Sequence, residues 1–230
     1  MSSLASAVRA QLLSLPEVNR LSSLRRSATL YNQGQTADAL FFVDEGLVKL
    51  TRTNTFGDRI IVSMSGPGEL IGEEALSLEA ATYQADAEVL TPAVVYRIPR
   101  VLVTRAIQNH PGLAASVIDF LLQRRLAMAR KVELLCLHDV EYRILHYLAE
   151  LASLVQPADH DVSYQLPITQ AELADLIGAT RETTSTTLNQ LERRGLVKLS
   201  RRLLTVPSPT QLRDATNHHV APEPASVRTA

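Results

Sequence analysis

Residues 166–208 read LPITQAELADLIGATRETTSTTLNQLERRGLVKLSRRLLTVPS, a run that leaves little freedom in local structure. Thr169 followed three residues later by Glu172 is a capping box, in which each side chain satisfies the other residue's backbone amide, so a helix starts there. That helix should last about two and a half turns and stop at Gly178, since glycine takes up the left-handed geometry that closes helices. Thr180 can cap a second helix running to about Arg194 and stopping at Gly195. Two short helices joined through a glycine turn form a helix-turn-helix.

The second helix divides its labour. Thr184, Leu188 and Leu191 fall on one face and can pack inward. Arg181, Glu182, Ser185, Thr186 and Asn189 fall on the other. In this motif the N-terminal residues of the second helix meet base edges in the major groove. A guanidinium suits the O6/N7 acceptors of guanine, and a carboxylate can accept from the N4 amine of cytosine. The following LVKLSRRLLTV reads as a β-hairpin wing, with Lys198, Arg201 and Arg202 available to phosphates. Thr169, Gln170 and Thr180 complete the candidate DNA-facing set. Between residues 165 and 205 six Lys/Arg oppose four Asp/Glu. That local surplus is hidden by a whole-chain net charge of -1.

Upstream the texture changes twice. From about Thr29 to Pro99, short β-rich runs (ALFFVDEG, LVKLTRT, RIIVSMSG, AVVYRIP) alternate with Gly34, Gly46, Gly57, Gly66 and Gly68, as in a sandwich or barrel. Residues 1–25 carry a helical pattern through Val8, Leu12, Leu15 and Leu21, broken at Pro16. Residues 100–136 turn helical, and Ala114, Leu121, Met128 and Leu135 recur every seventh position, reinforced by Val117, Ile118 and Val132. Three heptads of this kind predict a pairing helix, with Val117, Leu121, Met128, Val132 and Leu135 at a dimer interface, although Arg124 and Lys131 interrupt a second apolar column. Asp139 begins a further helical unit, and the loop 156–163 reads as exposed. From residue 213 on, a tail rich in Pro, Ala and Ser predicts disorder.

A single cysteine among 230 residues, Cys136, excludes an internal disulfide and any four-thiolate cluster. Hydrophobic content of 46% and charged content of 20% are those of an ordinary globular protein. Without an apolar run long enough to span a bilayer, and with Arg9 and Glu17 interrupting the N-terminus, the chain is expected to be cytoplasmic, with no membrane partner. An enzyme would have to use the barrel, yet residues 1–109 contain no histidine for a catalytic metal, and no nucleophile or nucleotide-phosphate motif occurs. A regulator whose helix-turn-helix binds protein instead of DNA is the other alternative.

On GELIGEE (68–74), the barrel glycines, the long helix and above all ITQAELADLIGATRETTSTTLNQLERRGLV, residues from about 25 to 210 resemble Crp/Fnr-type transcription regulators. The resemblance implies an α+β architecture: an N-terminal cyclic-nucleotide-binding-type β-roll (1–110), a dimerisation helix and hinge (111–138) and a C-terminal winged helix-turn-helix (139–212). It further implies a homodimer on palindromic double-stranded DNA and contact with RNA polymerase.

The chain departs from cAMP-binding members at the pocket. By position Gly72 and Glu73 match the ribose- and backbone-contacting pair, but Tyr83 and Gln84 stand where the resemblance implies the phosphate-binding Arg and Ser/Thr. Met128 and Ala129 stand where Thr and Ser contact adenine. Losing one buried charged phosphate contact costs on the order of 2–5 kcal/mol. A degenerate effector pocket of Gly72, Glu73, Glu74, Tyr83, Gln84 and Met128 is therefore expected, with no cofactor assigned and cAMP not the expected effector. Open alternatives are another small molecule, a cyclic dinucleotide held differently, or DNA binding without effector. The iron-sulfur and haem variants of the family lack ligands here; His110 and His138 read as surface residues and Cys136 as a small apolar one. In the reading helix Thr186 replaces a second Arg, so the expected site is related to TGTGA-N6-TCACA and altered at one base pair per half-site.

Overall fold

A computed structural model describes residues 3–77, 79–155, 163–200 and 203–218. The chain forms two compact units, Met1–Met128 and Ala129–Ala230.

The first unit opens with helix α1 (Ser3–Gln11) and continues into strands β1 (Asn19–Leu24), β2 (Thr29–Tyr31), β3 (Ala39–Glu45), β4 (Val48–Thr53), β5 (Arg59–Ser65) and β6 (Leu70–Ile71). A 3-10 turn (Glu73–Leu76), β7 (Asp86–Val89), β8 (Ala93–Pro99) and α2 (Arg100–Asn109) complete it, together with most of α3 (Pro111–Leu137). The strands make two four-stranded antiparallel sheets, β1-β8-β3-β6 and β2-β7-β4-β5. Every residue of β3 from Ala39 to Val43 is buried, which explains why ALFFV lacks the alternation of a half-exposed strand. Ala5 and Val8 of α1 and Leu12 in the turn after it join this core, as do Leu113 and Val117 of α3.

Two N-terminal expectations are corrected. The helical pattern read through residue 25 stops at Gln11, and Asn19–Leu24 is instead a strand paired antiparallel with β8, Asn19 opposite Arg97. That pairing brings in a partner remote in sequence, which a local pattern does not register.

The second unit holds the end of α3, then α4 (Val140–Leu154), β9 (Tyr164–Leu166), α5 (Gln170–Ile177), α6 (Arg181–Arg193), β10 (Lys198–Leu199), β11 (Leu204–Val206) and α7 (Pro209–His218). The wing is a three-stranded sheet, β10-β11-β9, so the predicted hairpin has a third strand contributed from before α5. The disordered tail predicted from residue 213 is corrected over its first six positions, because α7 continues to His218. Leu212 is fully buried and Thr216 nearly so, which ties a polar-looking helix down.

The units divide at Met128/Ala129, inside α3, which runs on to Leu137. Along α3 the predicted dimer positions split. Leu121, Met128 and Val132 are exposed, as is Ile118. Val117 is not: it lies in the barrel core and belongs to the interior of its own unit. Leu135 is half-buried, its Cδ2 2.9 Å from where a side chain on Gly178 would begin. Both leave the expected interface for the same reason, which is that they face the chain's own domains.

Candidate nucleic-acid interface

The helix-turn-helix forms as its caps dictate. Thr169 Oγ1 accepts from the Glu172 amide at 3.1 Å and the Glu172 carboxylate accepts from the Thr169 amide at 2.9 Å, closing the capping box. Gly178 ends α5 in the left-handed region at φ 63°. Thr180 Oγ1 then accepts from the Thr183 amide at 3.1 Å and starts α6. Thr184, Leu188 and Leu191 are completely buried, so the inward face of α6 is the one expected.

That burial turns Arg181, Glu182, Thr186 and Asn189 to solvent, with Ser185 half-exposed beside them. Among the described residues no hydrogen bond or ion pair holds Arg181 or Glu182, and their charged ends stand unengaged at the helix N-terminus. Thr184 and Thr187 return their hydroxyls to the helix, to Thr180 O at 2.8 Å and Thr183 O at 2.9 Å, so they are less available to an outside partner than Thr186. Thr169 and Gln170 sit half-buried at the start of α5. Lys198 is exposed on β10, whose backbone is fixed when Glu192 Oε1 accepts from the Leu199 amide at 2.8 Å. Arg201 and Arg202, the other predicted phosphate contacts, lie outside the described residues.

Residues that sequence reasoning passed over secure this unit from behind. Lys131, 7% exposed, donates to Leu176 O at 2.9 Å, and Arg143 donates to Ile177 O at 2.7 Å. Two cations thus meet the last two carbonyls of α5, the orphan acceptors at the negative end of its dipole. The Lys131 ammonium stands 5.1 Å from the centre of the Tyr147 ring. Burial lowers its pKa to about 8, partly opposed by the Glu150 carboxylate. Burial first, then Glu150, pushes the Tyr147 phenol up to about 12. Arg194, at the end of α6, is ion-paired with Glu141 of α4.

In the first unit the expected effector pocket turns on one side chain. Tyr83 is 1% exposed, a core residue and not a pocket wall, which corrects its expected place among effector contacts. Its Oη donates to Ala39 O at 2.7 Å and its ring stacks on Tyr31 at 3.9 Å between centroids. Gly72, at φ 79°, is needed in two respects: the backbone is left-handed, and a Cβ would meet Tyr83 Cε1 at 3.0 Å and Ala39 O at 3.2 Å. The neighbouring Gln84 is exposed, its amide donating to Glu74 Oε1 at 3.0 Å. Met128 is exposed on α3.

Glu73 meets a partner absent from the predicted set. Arg124 Nε lies 3.2 Å from Glu73 Oε1 and Arg124 Nη1 lies 3.4 Å from Ser63 Oγ. Among the described residues no group meets Glu73 Oε2, which is sealed from solvent. Burial raises the Glu69 pKa against the lowering effect of Arg124. Burial also raises the Tyr31 phenol, helped by Glu74 and Glu73. Arg124 and Lys131 read in the sequence as interruptions of an apolar column. Their seven-residue spacing from Val117 was the signal that this second column of α3 faces inward.

The comparisons with known proteins agree with this geometry. Residues 21–110 match the cyclic nucleotide-binding domain family and residues 142–215 match the Crp-like helix-turn-helix domain. The transcriptional regulator LdrP of Thermus thermophilus is 30% identical over 173 residues, covering 75% of this chain and 84% of its own. The cAMP-activated global transcriptional regulator CRP of Salmonella typhimurium is 27% identical over 179 residues, 78% of this chain and 85% of its own. Among solved structures, the c-di-GMP-responsive global regulator CLP of Xanthomonas campestris superposes with a TM-score of 0.74 at 23% identity, over 89% of this chain and 99% of that one.

Proposed function

The chain belongs to the Crp/Fnr-type DNA-binding transcription regulators, and from that premise we propose that it acts as a homodimer on a TGTGA-like inverted repeat, without cAMP as its effector. The observation that carries the DNA-reading part is α6, with its inner face fully buried and Arg181, Glu182, Thr186 and Asn189 turned outward and unburied. Arg181 and Glu182 read one G·C pair from opposite bases, Thr186 contacts a thymine methyl, and Lys198 takes a phosphate on the wing. Pairing uses the exposed apolar line Ile118, Leu121, Met128 and Val132 of α3. Bound at a promoter, such a dimer meets RNA polymerase.

The pocket part rests on Tyr83. Its ring fills the position at which the family resemblance implies a phosphate-binding Arg, and both ends of the phenol are committed, to Tyr31 by stacking and to Ala39 by hydrogen bonding. The protein therefore binds its operator either with no effector or with one that does not place a cyclic phosphate there. A second reading, a nucleotide held in a changed mode, is favoured by Glu73, whose Oε1 is met by Arg124 while no described group meets its buried Oε2.

The test is an electrophoretic mobility shift with purified protein and a TGTGA-N6-TCACA duplex, run over a salt series with and without cAMP, cGMP and cyclic di-GMP. The expected result is binding without nucleotide, weakening steeply with salt, and unchanged by cAMP. Binding indifferent to salt would remove the DNA-reading assignment, and a large response to cAMP would remove the assignment of the pocket.

A further inference from the structure

Lys131 occupies a position that a leucine would fill more cheaply. It lies two heptads after Val117 on the inward stripe of α3, it is almost completely buried, and its amine is directed at a backbone carbonyl. Burying an ammonium carries a desolvation cost that a leucine at the same place does not. What it provides that a leucine does not is a directional tie from α3 to Leu176 O, at the end of α5. One turn later Leu135 closes on Gly178, the glycine of the helix-turn-helix itself. Residues 131 and 135 thus grip the turn from which α6 departs, and both belong to the same compact unit as α6.

A dimer reading two half-sites must hold its two recognition helices at a set separation and rotation. One added base pair moves a half-site by about 3.4 Å and turns it by ~34°. If the helices are carried by paired copies of α3, the joint between α3 and α5 sets that separation. We propose that Lys131 is a positioning residue that fixes the angle at which α3 presents the helix-turn-helix, and thereby sets the half-site spacing the dimer accepts. The proposal rests on the reading of α3 as the pairing helix and α6 as the reading helix. Arg143 holds the adjacent carbonyl, Ile177 O, but does so from α4, so it steadies α5 without linking it to the pairing helix.

The test compares wild type, Lys131→Met and Lys131→Arg on duplexes carrying the same half-sites separated by five, six or seven base pairs. Circular dichroism and a half-site duplex serve as controls. Lys131→Met keeps the buried stem and deletes the donor. Wild type should prefer six base pairs over five and seven by about tenfold or more, as for any misplaced set of base contacts. Lys131→Met should hold half-site affinity and reduce that preference to about threefold or less, and Lys131→Arg should restore most of it. Should Lys131→Met fail to fold, Leu135→Ala is the second variant, and it should relax the same preference. A folded Lys131→Met, or in its absence a folded Leu135→Ala, that discriminates spacing as sharply as wild type overturns this inference alone. Wild type that binds no inverted repeat overturns the DNA-binding reading and this inference with it.

Discussion

The Tyr83 phenol closes on the backbone of Ala39, with Oη donating to the carbonyl at 2.7 Å and accepting from the amide at 3.3 Å. Replacing Tyr83 with Phe keeps the stack on Tyr31 and removes the hydroxyl that completes this pair. A loss of roughly 1–3 kcal/mol is expected, read as a shift of the urea midpoint at unchanged m-value. Gly72→Ala should be destabilising as well, because its Cβ meets Tyr83 Cε1 at 3.0 Å and its φ is positive. Adding the two variants together should cost less than the sum, since both loosen one contact.

Glu69 carries a testable sign. Burial raises its pKa, so between the unfolded and the folded value the native state holds more protons than the unfolded one. Stability from this group is present at low pH and is lost as pH rises through the folded value. Glu69→Gln should therefore be more stable than wild type at pH 7, with the difference vanishing below about pH 4. Urea unfolding at the two pH values checks it.

Lys131 has the opposite sign. Its pKa falls from the ordinary 10.5 to about 8, so over that interval the unfolded chain binds the extra proton. Wild-type unfolding free energy should rise between about pH 8 and pH 10, by on the order of 1–3 kcal/mol. In Lys131→Met that rise should be absent, and the variant should match or exceed wild type at pH 7. Equal slopes in the two proteins would remove the assignment of this titration to Lys131.

On DNA, Arg181→Ala should cost roughly 1–3 kcal/mol and relax preference at a single G·C pair. Lys198→Ala should weaken all sequences alike and lower the salt slope by ~0.9 per half-site, about 1.8 for the dimer. Competition binding on single-base variants of the half-site separates the two effects.

Much of this was legible in the sequence where local rules act. The capping box at Thr169 and Glu172, the glycine turn at 178, the Thr180 cap and the buried face Thr184, Leu188 and Leu191 are short-range features, and each forms as read. What was not legible depends on partners distant along the chain. Asn19–Leu24 becomes a strand only because β8 offers it an edge, and Tyr164–Leu166 joins the wing only because β11 does. α7 looks like the start of a polar tail until Leu212 and Thr216 find cover. The pocket was half legible: the exchange at position 83 could be seen, but not that the ring turns inward onto Tyr31. The heptad spacing of α3 includes an exposed apolar line, Leu121, Met128 and Val132, while Arg124 and Lys131 looked like defects because their partners, Glu73 and Leu176, lie on other elements.

The stacked pair of Tyr31 and Tyr83 has one more consequence. A diffusible ligand comes and goes, and the fraction of sites it fills reports how much of it is present. An aromatic ring tethered to the backbone has no off-rate into solution, and its local concentration is fixed by the chain. On the proposed reading of the pocket, occupancy at that corner of the barrel is fixed at synthesis, and a variable read there registers as a rearrangement of side chains that never leave.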